Sequence, residues 1–167
     1  MNMKVKIKKL HPNAVIPTYA TDGDAGMDLT ALTRQYVYSE TESEYIEYRT
    51  GLAFEIPEGY MGLIFPRSSN SKKDLTLCNS VGVLDSGFRG EVTFRYKLDG
   101  TYDEVEGLFE NMAFCKDNTS EFGQWIYEVG DKVGQLIILP YPKIEFEEVN
   151  ELSKTERNEG GFGHTGK

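Results

Sequence analysis

EVTFRYKL (91–98) sets the fold class. Its β-branched and aromatic residues alternate with the rest, the period of two that marks a strand with one buried face. Reading outward, MGLIFP (61–66) is a compact apolar run, and EYIEYRTGLAFEI (44–56) and KVKIKKL (4–10) alternate in the same way. KVGQLIILP (132–140) and KIEFEEV (143–149) complete the set. Turn residues stand between these runs at Pro57–Gly59, Ser86–Gly87, Asp99–Gly100 and Pro140–Pro142. No long stretch carries the helical period of 3.6. Short strands broken at frequent intervals by turns predict an all-β barrel or sandwich.

The 167 residues suffice for one domain with a real core, 1–167. A net charge of -9 argues against a duplex-DNA or anionic-membrane surface but leaves room for a small anionic ligand, which needs only a few placed cations. The N-terminal MNMKVKIKKL lacks the apolar run of a signal peptide, and no segment is long and apolar enough to span a bilayer. Cys78 and Cys115 lack metal-type spacing and read as reduced thiols. A cytoplasmic location is expected.

Residues 99–130 stand apart. Eight acids against Lys116 give this stretch a charge of -7, together with Phe109, Met112, Phe114, Phe122, Trp125 and Tyr127. It reads as an insertion that either folds against the body or offers a surface to a protein partner. The tail RNEGGFGHTGK (157–167) is Gly-rich and expected to be mobile.

Several segments can carry chemistry. PRSSNSKKD (66–74) gathers a guanidinium, hydroxyls and ammoniums that suit a polyphosphate, or a solvated loop. In NSVGVLDSGFRGEV (79–92), Asp85 follows apolar Val83 and Leu84 into a turn, a position for a general base or for ordinary turn bonding. DGDAGMDLTA (22–31) clusters Asp22, Asp24 and Asp28 without calcium-loop spacing. GDKVGQLIILP (130–140) sets Gln135 ahead of an apolar run. The tail glycines allow close backbone approach to a phosphate, with Arg157 and Lys167 for charge and Phe162 for stacking.

Taken in order, DAGMDLTA, PRSS, NSVGVLDSGFRGEV, GDKVGQLIILP and RNEGGFG resemble the five ordered motifs of the trimeric deoxyuridine triphosphatase family. The resemblance implies a jelly-roll-like β barrel and a homotrimer whose sites draw on all three subunits. It implies hydrolysis of dUTP to dUMP and pyrophosphate, with Asp85 activating the attacking water. Arg67, Ser68, Ser69 and Gln135 are then phosphate contacts, and Asn79, Val83, Leu84 and Phe88 form the uracil and sugar pocket. Arg157, Phe162, Gly163 and Thr165 belong to a tail that closes over the nucleotide. Mg²⁺ is the implied cofactor, carried mainly by the substrate phosphates, with Asp28 ordering its waters. Phe88, Ser69 and His164 depart from the family's usual tyrosine, glycine and serine. A dCTP deaminase of the same fold is the enzymatic alternative, though Arg95 stands where its catalytic glutamate is expected. A regulatory, protein-binding member acting through 99–130 is the other.

Overall fold

A computed structural model describes residues 3–37, 44–98 and 126–160. Its ten strands, among those residues, are β1 (Lys6–Lys9), β2 (Met27–Thr30), β3 (Thr33–Val37), β4 (Tyr45–Arg49), β5 (Leu52–Glu55), β6 (Tyr60–Phe65), β7 (Leu75–Leu77), β8 (Gly82–Leu84), β9 (Thr93–Leu98) and β10 (Lys132–Pro140). One 3₁₀ turn, Ser68–Lys72, follows β6. The strands form sheets ordered β2-β10-β6-β8, β3-β4-β9-β7 and β1-β5, with every pairing antiparallel. This is the all-β architecture that the alternation predicts, and its antiparallel sheets match the jelly-roll-like barrel that the resemblance implies.

The alternation explains the core directly. Along β9, Phe94 and Tyr96 turn inward while Arg95 and Lys97 face solvent. On β4, Ile46 lies opposite Tyr96 and Tyr48 opposite Phe94, so four large side chains meet on one face of the pair. Leu29, Val133 and Leu136 of the facing sheet close on them. The buried Tyr96 hydroxyl donates to the Val133 carbonyl at 2.7 Å, one polar bond linking the two large sheets through the core. A phenol without that partner would leave a polar group dry and unsatisfied.

Two sequence expectations change. EYIEYRTGLAFEI is two strands in two different sheets, broken at Thr50–Gly51. Gly51 holds φ 68°, and a Cβ there would collide with Leu32 and Ala14, so the break demands glycine. KIEFEEV is no strand. Residues 141–159 run exposed, with Phe146 96% and Leu152 87% open to solvent. Alternation alone does not make a strand when no neighbouring edge is there to pair with.

The bulk of the 99–130 stretch lies outside the described residues. At its end, Ile126 and Tyr127 are buried in the core, with Tyr127 packed beside Tyr48 and Tyr96. No helix among the described residues is long and apolar enough to cross a membrane.

Candidate active site

The central strand β10 brings two predicted residues together. Gln135 pairs with Asp28 on β2 on one side and with Phe65 at the end of β6 on the other. Two residues past Phe65, Arg67 reaches back. Its Nε donates to Asp28 Oδ1 at 2.9 Å and its Nη2 to Oδ2 at 3.3 Å. Gln135 Nε2 donates to Oδ1 at 3.2 Å, and Lys132 Nζ stands 2.9 Å from Oδ2. Three segments far apart in sequence thus converge on one carboxylate.

Lys132 is a member of this cluster that sequence reasoning missed. In a regular strand, residues 132 and 135 fall on opposite faces. A β-bulge between Lys132 and Gly134 shifts the register by one and puts both on the face carrying Asp28. Nothing in the local sequence marks that bulge except Gly134 itself.

Burial of Asp28 works to raise its pKa. The bonds from Lys132 and Gln135 and the Arg67 charge outweigh it and hold the carboxyl below its ordinary value. A depressed folded pKa adds stability above the unfolded value of about 3.9 and loses it as pH falls through the folded value. Asp28→Asn is therefore expected to lower the urea midpoint at pH 7, with the gap to wild type closing below about pH 3.9. A gap of constant size down to pH 2.5 would show that ionisation of Asp28 is not its source.

The same contacts bear on metal binding. Both Asp28 oxygens are engaged by cationic or amide donors, and a cation placed directly on them would face Arg67 and Lys132. Among the described residues, no group of three or more His, Cys, Asp or Glu could hold a metal ion. The donor set therefore does not form a cage.

The Asp85 hairpin is built at the other end of β6. Leu84 on β8 lies opposite Gly62, so Asp85 follows at the level of Met61. Phe88 N–H donates to the Asp85 carbonyl at 3.0 Å, closing the turn. Arg89 donates to the Ser86 and Phe88 carbonyls and braces it. Gly90 lies under the Phe88 ring, in a space that a Cβ would fill. Val83 and Phe88 are 58% and 44% exposed, a bare apolar pair beside an exposed carboxylate. Leu84 points into the core, so its own contribution to a ligand is confined to its backbone. Exposed Asn79 leads into the hairpin, its amide packed close to Gly82.

Within one chain these two halves do not meet. Arg67 is six residues beyond Met61, roughly 20 Å of extended backbone. Ser68 is exposed and Ser69 half-buried beside Arg67, whose Nη1 lies 3.4 Å from the Ser69 hydroxyl. Arg157 donates from Nε to the Gly160 carbonyl at 2.9 Å in an exposed turn. Phe162, Gly163, His164 and Thr165 lie outside the described residues.

A sequence profile described as dUTPase matches residues 12–97 and 120–166. The chain belongs to the dUTPase family. Among this dUTPase-family chain's relatives is a Deoxyuridine 5'-triphosphate nucleotidohydrolase of Hydrogenobaculum sp. (strain Y04AAS1), 36% identical over 98% of this chain and 99% of that protein. The dUTPase of Staphylococcus bacteriophage 80alpha, solved with dUPNHPP, is similar at a TM-score of 0.74 and 27% identity, covering 99% of each chain. A variant dUTPase from phage phi11 of S. aureus, whose structure details the coordination of a structural Mg(II) ion, has a TM-score of 0.67 and 26% identity, covering 89% of this chain and 98% of that one. The profile resumes at residue 120, consistent with the burial of Ile126 and Tyr127 in the body of the domain.

Proposed function

We infer that the chain hydrolyses dUTP to dUMP and pyrophosphate. The observation that carries this reading is the convergence of Asp28, Arg67 and Gln135 at one end of β6, with a carboxylate-bearing hairpin at the other. The dUTPase family match supports this reading.

In the proposed reaction, a water oxygen attacks the α-phosphorus. Asp85 takes the water proton, the bond from the α-phosphorus to the bridging oxygen breaks, and pyrophosphate leaves. Arg67, Ser68, Ser69 and Gln135 hold the phosphates, and Arg157 with the glycine tail closes over them through Phe162, Gly163 and Thr165. Bound Mg²⁺ would neutralise phosphate charge, and Asp28 would meet it only through water. Asn79 and the Val83–Asp85 hairpin receive uracil, whose narrow slot excludes a 5-methyl group. The Phe88 ring lies under the deoxyribose and leaves no room for a 2′-hydroxyl. Pyrophosphate release from dUTP, against dTTP, UTP and dCTP, tests the reading. Comparable turnover of all four would refute it, and ammonia from dCTP would favour the deaminase.

The chain acts as a homotrimer with shared sites. Asp85 and Arg67 of one chain are too far apart to serve the same α-phosphate. The exposed arm, with Ile144, Phe146, Val149 and Leu152 bare, is suited to cover another copy. Mixing an Asp85→Asn chain with an Arg67→Ala chain under exchange conditions is expected to restore activity well above either variant alone. No gain in subunits shown to have mixed would place each site within one chain. A protein partner at 99–130 remains part of the proposal. Deleting 100–119, which the dUTPase profile leaves unmatched and which spares the buried Ile126, and finding activity and binding partners unchanged would remove it.

A further inference from the structure

Within the turn that carries Ser69, the Asn70 N–H donates to the Arg67 carbonyl at 2.9 Å and the Ser71 hydroxyl to the Ser68 carbonyl at 2.8 Å. Ser68–Lys72 buries none of its residues, and its N-terminus has no side-chain cap. A short 3₁₀ turn of this kind has poor hydrogen-bond geometry and is easily rearranged. Yet its backbone and hydroxyls must be held still if they are to receive phosphate oxygens.

The rigidity comes from the core, through Tyr127. Its ring sits edge-on to Tyr48 at 5.9 Å and tilted against Tyr96 at 5.7 Å, and the residue is buried. Its backbone is fixed as well: Tyr127 N–H donates to the Tyr48 hydroxyl at 3.2 Å, and its carbonyl accepts from Arg34 at 3.3 Å. From this anchored position the Tyr127 hydroxyl donates to Asn70 Oδ1 at 3.0 Å, in the middle of the turn. Asn70 in turn donates to the Leu75 carbonyl at 2.7 Å. Lys73 ties the same two segments together, with Nζ 2.7 Å from the Ile126 carbonyl and 5.4 Å from the centre of the Tyr127 ring. Burial pushes the Tyr127 phenol up, while a hydrogen bond with the Ser69 side chain pulls the other way.

We propose that Tyr127 is a positioning residue for phosphate binding. Its hydroxyl fixes Asn70 and thereby the Arg67–Ser69 face of the turn. It touches no substrate itself. The proposal rests on the reading that Arg67 and Ser69 hold the phosphates of dUTP.

Tyr127→Phe keeps the ring and removes only the hydroxyl. The expected result, for the full chain in its assembled form, is a KM for dUTP raised about fivefold, the effect of one neutral hydrogen bond. The value of kcat should stay within about twofold, with the inhibition constant for phosphate-free deoxyuridine unchanged. Asn70→Ala removes the same bond from the other side and is expected to raise KM likewise. In an Asn70→Ala background, Tyr127→Phe should add little, because both changes remove the Tyr127–Asn70 bond. A merely structural tyrosine would instead lower the melting temperature and leave the ratio of KM to the deoxyuridine constant unmoved. An unchanged KM in both single variants, or fully additive effects of Tyr127→Phe and Asn70→Ala, overturns the proposal. Arg67→Ala separates the two levels. If it raises KM while Tyr127→Phe does not, only the positioning role fails. If Arg67→Ala leaves KM unchanged, the phosphate reading falls and this inference with it.

Discussion

Asp85→Asn is expected to lower kcat for dUTP by about 10²- to 10⁴-fold, the usual contribution of a positioned general base, with KM changed little. The amide matches the carboxylate in shape and can still orient a water, but it cannot take its proton. The hairpin should survive the change. The turn is closed by the Asp85 backbone carbonyl, not by its side chain, and Arg89 braces it from Ser86 and Phe88. Affinity for a non-hydrolysable dUTP analogue is the control and should stay near wild type. A variant that keeps more than a tenth of wild-type kcat would mean that Asp85 is not the base. A variant that loses analogue binding as well would mean that the residue builds the pocket.

Gly134→Ala should give the largest loss of stability, about 3 kcal/mol, from overpacking a closed core. A Cβ at this position would run into the Phe94 ring and come within 2.9 Å of the Phe65 carbonyl. The ring has no room to retreat, since it stacks on Tyr96, and the carbonyl belongs to the neighbouring strand. For a domain of this size the melting temperature should fall by roughly 6–12 °C. Gly23→Ala is the matched control, because a Cβ there meets nothing within 4 Å. A Gly134→Ala melting point within 2 °C of wild type would show that the two large sheets separate more easily than their packing implies. Gly134 also lies in the bulge beside Gln135, so a strand that shifts to admit the methyl should weaken phosphate binding too.

The sequence carried the large strands because their alternation matched a buried face. β1, β4, β5 and β9 were legible from alternation, and β6 and β10 as apolar runs bounded by turns. β2, β3 and β7 were not read as strands, because each is short and merges with the polar or turn-rich residues around it. KIEFEEV failed for the opposite reason: its pattern is clear, but a strand needs a neighbour. In the site, the motif order pointed to Asp28, Arg67 and Gln135, and the structure brings them together. Lys132 escaped because a bulge reverses a face, and Tyr127 because its acidic surroundings placed it with the insertion. Neither the bulge nor the aromatic stack against Tyr48 and Tyr96 leaves a local mark, as both depend on partners more than thirty residues away.

The ion cluster at Asp28 has a thermodynamic consequence for binding. A long guanidinium side chain ordinarily gives up about 0.5–1.5 kcal/mol of rotational freedom when a ligand immobilises it. Arg67 gives up much of that freedom on folding, because Asp28 already holds it at two nitrogens. On the proposed reading of Arg67 as a phosphate contact, arrival of a triphosphate would be an exchange of anionic partners for a cation that is already aimed. Calorimetric titrations should accordingly show a smaller entropic penalty in wild type than in Asp28→Ala, where the arginine must be ordered anew with each binding event.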